Sequence, residues 1–210
     1  TSYSSLLVQA LTTHWFGVGD SGFRIGAKEG KRDTVPYGFF NKEIFHKVGM
    51  FNESLVRAQD YEFNNRINRA GGVVWFDPNI TFSYSNQASL IRFYIKQLTL
   101  EAPYNTYMWW LSPSTFNLRH SITGFFALGF LLGLTISPFF IYIKLPFLLT
   151  VSLYVVISVY ASFQQSVRYK KILHFFILPF CFFLFHFLHG IGILSGILNL
   201  FLGRSPVQNK

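Results

Sequence analysis

The stretch Ser121-Ile-Thr-Gly-Phe-Phe-Ala-Leu-Gly-Phe-Leu-Leu-Gly-Leu-Thr-Ile-Ser-Pro-Phe-Phe-Ile-Tyr-Ile143 decides the architecture. It is a run of 23 residues without a charge. A helix needs about 20 apolar residues to cross the hydrocarbon core of a bilayer, so this run is long enough to span one. Two more runs follow. Leu145 to Phe163 is also uncharged, and Ile172 to Leu202 is interrupted only by His174, His186 and His189 among strongly polar residues. The third run is too long for one untilted span. It divides by sequence near His189-Gly190 into a span over 172–190 and a short Gly-rich arm. The expectation is an all-α membrane region over 121–202 with about three transmembrane helices and a tail over 203–210.

Lys144 alone separates the first two runs, whereas Arg168, Lys170 and Lys171 stand between the second and third. The positive-inside bias places the 164–171 loop in the cytoplasm, and two crossings return residues 1–120 to the same side. The expected location is the inner (plasma) membrane, multi-pass, with the catalytic part cytoplasmic.

Charge divides the chain. All nine Asp and Glu lie in residues 1–120, and the net charge of +9 is completed by cations that flank apolar runs. Such cations meet phospholipid headgroups, and no basic cluster interleaved with stacking aromatics points to nucleic acid. The single cysteine, Cys181, lies in an apolar run and reads as a small buried hydrophobe. The chain opens on Thr1 without a signal-peptide pattern.

Residues 89–120 carry Arg92, Lys96, Trp109, Trp110 and several tyrosines, a mixture that favours the headgroup layer. Residues 1–88 alternate in character. Helices are expected over Ser4–Thr12, Lys42–Val48 and Tyr61–Ala70, the last two closed by Gly49 and by Gly71-Gly72. Strands are expected over Asp33–Phe39, Val73–Phe76 and Ile80–Tyr84, with loops over 16–22 and 26–31.

Asp60 and Glu62 open the helix that begins at Tyr61. There the positive end of the helix dipole favours an ionised carboxylate. Taken alone, Asp60 reads as an N-cap and Glu62 as a first-turn acid. His186 and His189, three apart, lack a third partner for a metal and read as hydrogen-bonding groups between helices. Arg92 and Lys96 share a helical face and are candidate contacts for a lipid diphosphate, with a solvated face as the plainer reading.

The run Gly38-Phe-Phe-Asn-Lys-Glu-Ile-Phe-His-Lys-Val-Gly-Met-Phe-Asn-Glu53 leads to Gln59-Asp-Tyr-Glu-Phe-Asn-Asn-Arg-Ile67, then Ala70-Gly-Gly72 and Phe76-Asp-Pro78. In order and spacing it resembles the acceptor-side half of family 2 inverting glycosyltransferases, and within them the succinoglycan type. Phe16-Gly-Val-Gly19, Asp33-Thr-Val35, Arg119-His120 and His189-Gly-Ile-Gly192 extend the resemblance over nearly the whole chain. The resemblance implies that residues 1–88 are the C-terminal half of an α/β, A-type glycosyltransferase domain. It implies that Asp60 is the general base, that Glu62 and Arg66 shape its helix, and that Gly38 marks a turn close to the acceptor. Gln59 stands where the family usually has an acid, which leaves Asp60 as the base.

The implied reaction takes a sugar from a nucleotide-sugar donor to a lipid-linked saccharide acceptor. A divalent cation, Mg or Mn, is expected for the complete enzyme, with ligands outside this chain. No donor-side Asp-x-Asp precedes Asp60 in the sequence, so the chain is expected to be a fragment. The alternative is a catalytically incomplete scaffold of a polysaccharide assembly complex. The absence of a Gln/Arg-x-x-Arg-Trp motif argues against processive synthesis.

Overall fold

The computed structural model describes residues 2–206, so the tail expected over 203–210 lies outside the described residues from 207 onward. Helix α1 (Tyr3–Thr12) is followed by the short helices α2 (Trp15–Val18) and α3 (Gly22–Ile25) and strand β1 (Gly30–Arg32). Then come α4 (Lys42–Val48), α5 (Gln59–Arg69) and strand β2 (Val74–Phe76). The segment before the long helices holds α6 (Leu90–Lys96), a π-helical turn (Gln97–Glu101) and α7 (Ala102–Leu111). Three long helices close the chain: α8 (Leu118–Ile136), α9 (Ile141–Tyr169) and α10 (Ile172–Phe201).

All three long helices are long and apolar enough to cross a membrane. Their boundaries differ from the sequence expectation in an instructive way. The first span ends at Ile136, because Ser137 and Pro138 break the helix, and Lys144 lies inside α9 with its side chain exposed. Proline removes a backbone donor and stops a helix, whereas a lone lysine on a lipid-facing helix extends its head to the headgroups. The expected break at His189-Gly190 does not occur. Helix α10 runs through it because its glycines meet neighbouring backbone and small side chains. A Cβ at Gly190 would collide with the Thr123 carbonyl oxygen, one at Gly192 with the Leu98 carbonyl, and one at Gly196 with the Thr106 hydroxyl. Small residues at such positions let helix backbones approach closely, the usual device of packing inside a membrane. Helix α10 is therefore the shared wall on which α8 and the α6–α7 segment both rest.

Among the described residues the only sheet is the antiparallel pair β1–β2, with Lys31 opposite Trp75. Residues 1–88 thus hold helices and two short strands, which do not establish the expected α/β A-type domain. Asp33–Phe39 forms no ladder. Helix α5 holds this segment by side chains instead: Asn64 donates to Thr34 Oγ1 and to the Val35 carbonyl, each at 2.9 Å, and Asn68 donates to the Asp33 carbonyl at 3.0 Å. Ile80–Tyr84 is likewise unpaired, and Ile80, Phe82 and Tyr84 stay exposed. The loop expected over 16–22 holds most of α2.

Among the described residues three cores form, the smallest of which joins Leu55 to Tyr104 and Met108 of α7. Phe40, Phe45, Phe51 and Phe63 pack edge-on and stacked, with Ile67 and Val74 closing the cluster beneath α4 and α5. A separate core joins Leu7, Val8 and Leu11 of α1 to Phe93, Tyr94, Ala161, Leu178, Phe182 and Phe185. By packing, α1 and α2 rest on the long helices. His14 bonds Gln164 at 2.9 Å, Arg168 donates to the Thr13 carbonyl at 2.9 Å, and Thr13 meets Tyr169 at 2.9 Å. The turn between α9 and α10 therefore lies on the same side as residues 13–14.

Candidate active site

The first turn of α5 carries Gln59 and Asp60, and the residue before it, Ala58, sits at φ +63° with ψ +15°. Ala58 makes no side-chain cap, and Asp60 does not cap α5 either. The Asp60 carboxylate instead feels the backbone amide of Tyr37, another non-glycine residue in left-handed conformation, at φ +52°. Left-handed backbone at a residue with a side chain costs roughly 1–2 kcal/mol, and such strain collects at functional sites. The two strained residues flank the same carboxylate. The Asn64 and Asn68 clamps described above bring Tyr37 to it.

Burial pushes the Asp60 carboxyl above the ordinary aspartate range, and the Tyr37 amide opposes that rise. This runs against the effect of the helix end, because desolvation penalises the charged form. A half-buried carboxylate with raised proton affinity is a better proton acceptor at working pH than a solvated one.

Glu62 and Arg66 do other work. Glu62 is 4% exposed and receives both Nε and Nη2 of Arg66, at 2.8 and 2.9 Å. Arg66 also donates to the Val48 carbonyl and, at 2.8 Å, to that of Met50. The pair thereby ties α5 to the end of α4 and the loop after it. Gly38 lies against the Phe40 ring, on the wall of a second groove, and not where Tyr37 meets Asp60.

Asp60 faces a cleft of about 1460 Å³ between the α5 end and the long helices. Gln59 and Tyr61 line it beside Asp60; Arg119, His120 and Phe126 line it from α8; Tyr154 and Ile157 line it from α9; His186 and His189 line it from α10. Arg119 donates to Asp20 at 2.6 Å and to Asp33. It also stands over the Tyr61 ring, 5.9 Å from its centre. Its hydrogen bond holds the Asp20 carboxyl below the usual range. Gly19, at φ +63°, lets the chain pass against the Arg119 side chain. His186 and His189 hydrogen-bond to different helices: Tyr154 of α9 at 2.9 Å and Thr123 of α8 at 2.8 Å.

Lys96 lines the cleft, bonded to Glu101 at 3.0 Å. Arg92 is exposed and is not part of the cleft wall. Sequence reasoning missed Arg57, Tyr37 and the Asp20–Arg119–Asp33 link. The recurrence of Arg119-His120 in the resemblance was the available signal for the last of these. Among the described residues no three His, Cys, Asp or Glu side chains come together as a metal site.

No known family's sequence profile matches the chain, and no solved structure matches it. A curated protein of Methanococcus voltae is 28% identical over 178 residues, which cover 82% of this chain and 50% of that protein. It is a dolichyl N-acetyl-alpha-D-glucosaminyl phosphate 3-beta-D-2,3-diacetamido-2,3-dideoxy-beta-D-glucuronosyltransferase. This chain is similar to a glycosyltransferase. It spans about half the length of that curated relative. The three long apolar helices agree with a membrane protein.

Proposed function

We propose that this chain is the acceptor-side part of a membrane-bound inverting glycosyltransferase of family 2, succinoglycan type. In this reading the complete protein transfers a sugar from a nucleoside diphosphate sugar to a lipid-linked saccharide at the inner membrane, in building a surface polysaccharide. The observation that carries the reading is the position of Asp60. It is a half-buried carboxylate with raised proton affinity, in a cleft whose other walls are the long apolar helices. The curated relative's name, with its dolichyl phosphate substrate, supports a lipid-linked acceptor.

The mechanism follows from proton balance. The acceptor hydroxyl oxygen bonds to the anomeric carbon as the bond from that carbon to the diphosphate oxygen breaks. The diphosphate leaves with the electron pair, and Asp60 takes the hydroxyl proton on a carboxylate oxygen. Attack from the face opposite the leaving group inverts the anomeric centre. The described residues do not supply a metal site, and no step here depends on one. The remaining A-type fold and the donor site are proposed to lie in the part of the protein this chain does not cover. The turn after α9 shares a side with residues 13–14, which supports a cytoplasmic catalytic part.

The test is sugar transfer by membranes carrying the complete protein. Asp60→Asn is expected to lower the rate by a factor of about 10² to 10⁴. Wild-type rates from Asp60→Asn would sink the base assignment. Polysaccharide assembly that survives Asp60→Asn but fails when the protein is deleted would favour the scaffold instead.

A further inference from the structure

The cleft is polarised in charge. On the α8 side, Arg119 is shared by two acids, Asp20 and Asp33. On the α6–α7 side the ratio reverses. One acid, Glu101, stands between two cations, with its Oε1 3.0 Å from Lys96 Nζ and 3.8 Å from Arg57 Nε. All three line the same cleft as Asp60.

The local backbone is built for this cluster. Lys96 and Glu101 are five residues apart, a spacing that an α-helix would place on different faces. The π-helical turn Gln97–Glu101 widens the helix and brings them together. Such turns recur at functional sites. Arg57 lies three residues before Asp60. Its Nε is buried and has no hydrogen-bond partner, since Glu101 is beyond hydrogen-bond reach. The side chain as a whole is 40% exposed, so its outer nitrogens are open to an acceptor oxygen that enters the cleft.

We infer that Arg57 and Lys96 form an anion site for the phosphate that links the acceptor saccharide to its lipid. This rests on the proposed function and sharpens it. Arginine and lysine on one wall bind the phosphate, and the apolar surface of Phe126, Tyr154 and Ile157 takes the start of the lipid chain. The saccharide beyond the phosphate extends toward Asp60. The Asp20–Arg119–Asp33 link on the α8 side has one more acid than base and disfavours the phosphate there.

The experiment measures binding to the purified full chain in nanodiscs by native mass spectrometry. Its probes are farnesyl phosphate, farnesol and inorganic phosphate. Arg57→Gln and Lys96→Gln are each expected to weaken farnesyl phosphate binding about tenfold, with farnesol binding changed less than twofold. Arg92→Gln, outside the cleft, serves as a control with unchanged binding. Thermal unfolding of each variant checks that it is folded. Loss of farnesol binding in parallel with farnesyl phosphate, or no loss of either, would overturn the site. Tight inorganic phosphate binding that both Gln variants abolish would keep the site and make free phosphate its ligand. Because no arm requires transfer, a result here is separate from the outcome for Asp60→Asn.

Discussion

Arg119 joins Asp20 and Asp33 across 13 residues of chain, and it does so from the first turn of α8. The link connects the loop after α2, the segment after β1 and a membrane-length helix at one guanidinium. Arg119→Lys keeps a charge but loses the planar fork that can serve two carboxylates. Asp20 is largely exposed, so most of the benefit comes from Asp33 and the half-buried surroundings. Arg119→Ala is expected to cost about 2 kcal/mol, and Arg119→Lys about half of that. Thermal unfolding in detergent checks the order Arg, Lys, Ala.

Asp60→Asn is expected to lose activity while gaining stability at neutral pH. The Asp60 carboxyl has its proton affinity raised in the folded protein, above its value in the unfolded chain. Ionising it therefore opposes folding. That opposition is absent below the unfolded value, grows as pH rises toward the folded value, and is complete above it. Asparagine removes it. A melting temperature higher for the variant at pH 7 but not at low pH is the expected result.

The same shift sets a pH–rate expectation. A general base must be ionised, so kcat/KM of the complete protein is expected to fall with decreasing pH through a limb above the ordinary aspartate range of about 4. A limb at or below that value would mean that the titrating base is not a half-buried Asp60.

Glu62→Ala is expected to destabilise by about 3 kcal/mol, because it leaves the Arg66 guanidinium partly buried with one side unpaired. Glu62→Gln is expected to cost less, since its amide oxygen still accepts one bond. Denaturation of the two variants side by side measures the difference.

Gly190→Ala adds a methyl group where the Thr123 carbonyl already stands. The α8–α10 contact must open, at a cost of about 1–3 kcal/mol. Gly129, whose missing Cβ faces open space, is the matched control: Gly129→Ala is expected to be neutral or stabilising. Comparing their melting temperatures tests the close approach.

What the sequence made legible, and what it hid, follows from the range of the forces involved. Uncharged runs announced three long helices, and Gly49 announced the end of α4, because hydropathy and caps act locally. The end of α8 was also written locally, in Ser137-Pro138, whereas Lys144, the only charge between the first two runs, lies inside α9 and breaks nothing. Continuity of α10 past Gly190 was hidden, since only the neighbouring Thr123 backbone gives that glycine its purpose. The segment 33–39 read as a strand from its own residues, whereas Asn64 and Asn68, about thirty positions away, hold it. For the candidate site, Asp60 was visible by its place in a motif. Tyr37 and Arg57 were not, because a left-handed tyrosine and an arginine set beside Glu101 by a distant π-helical turn leave no mark in composition or spacing.

The unbroken course of α10 has a geometric consequence. One continuous helix carries both His186 and His189 of the cleft lining and the apolar surface of a candidate span, so the depth of the cleft relative to that apolar surface is a fixed dimension. On the proposed reading that makes the protein a ruler. An acceptor whose saccharide is one sugar too short or too long presents its hydroxyl at the wrong height to Asp60, however well its individual sugars fit.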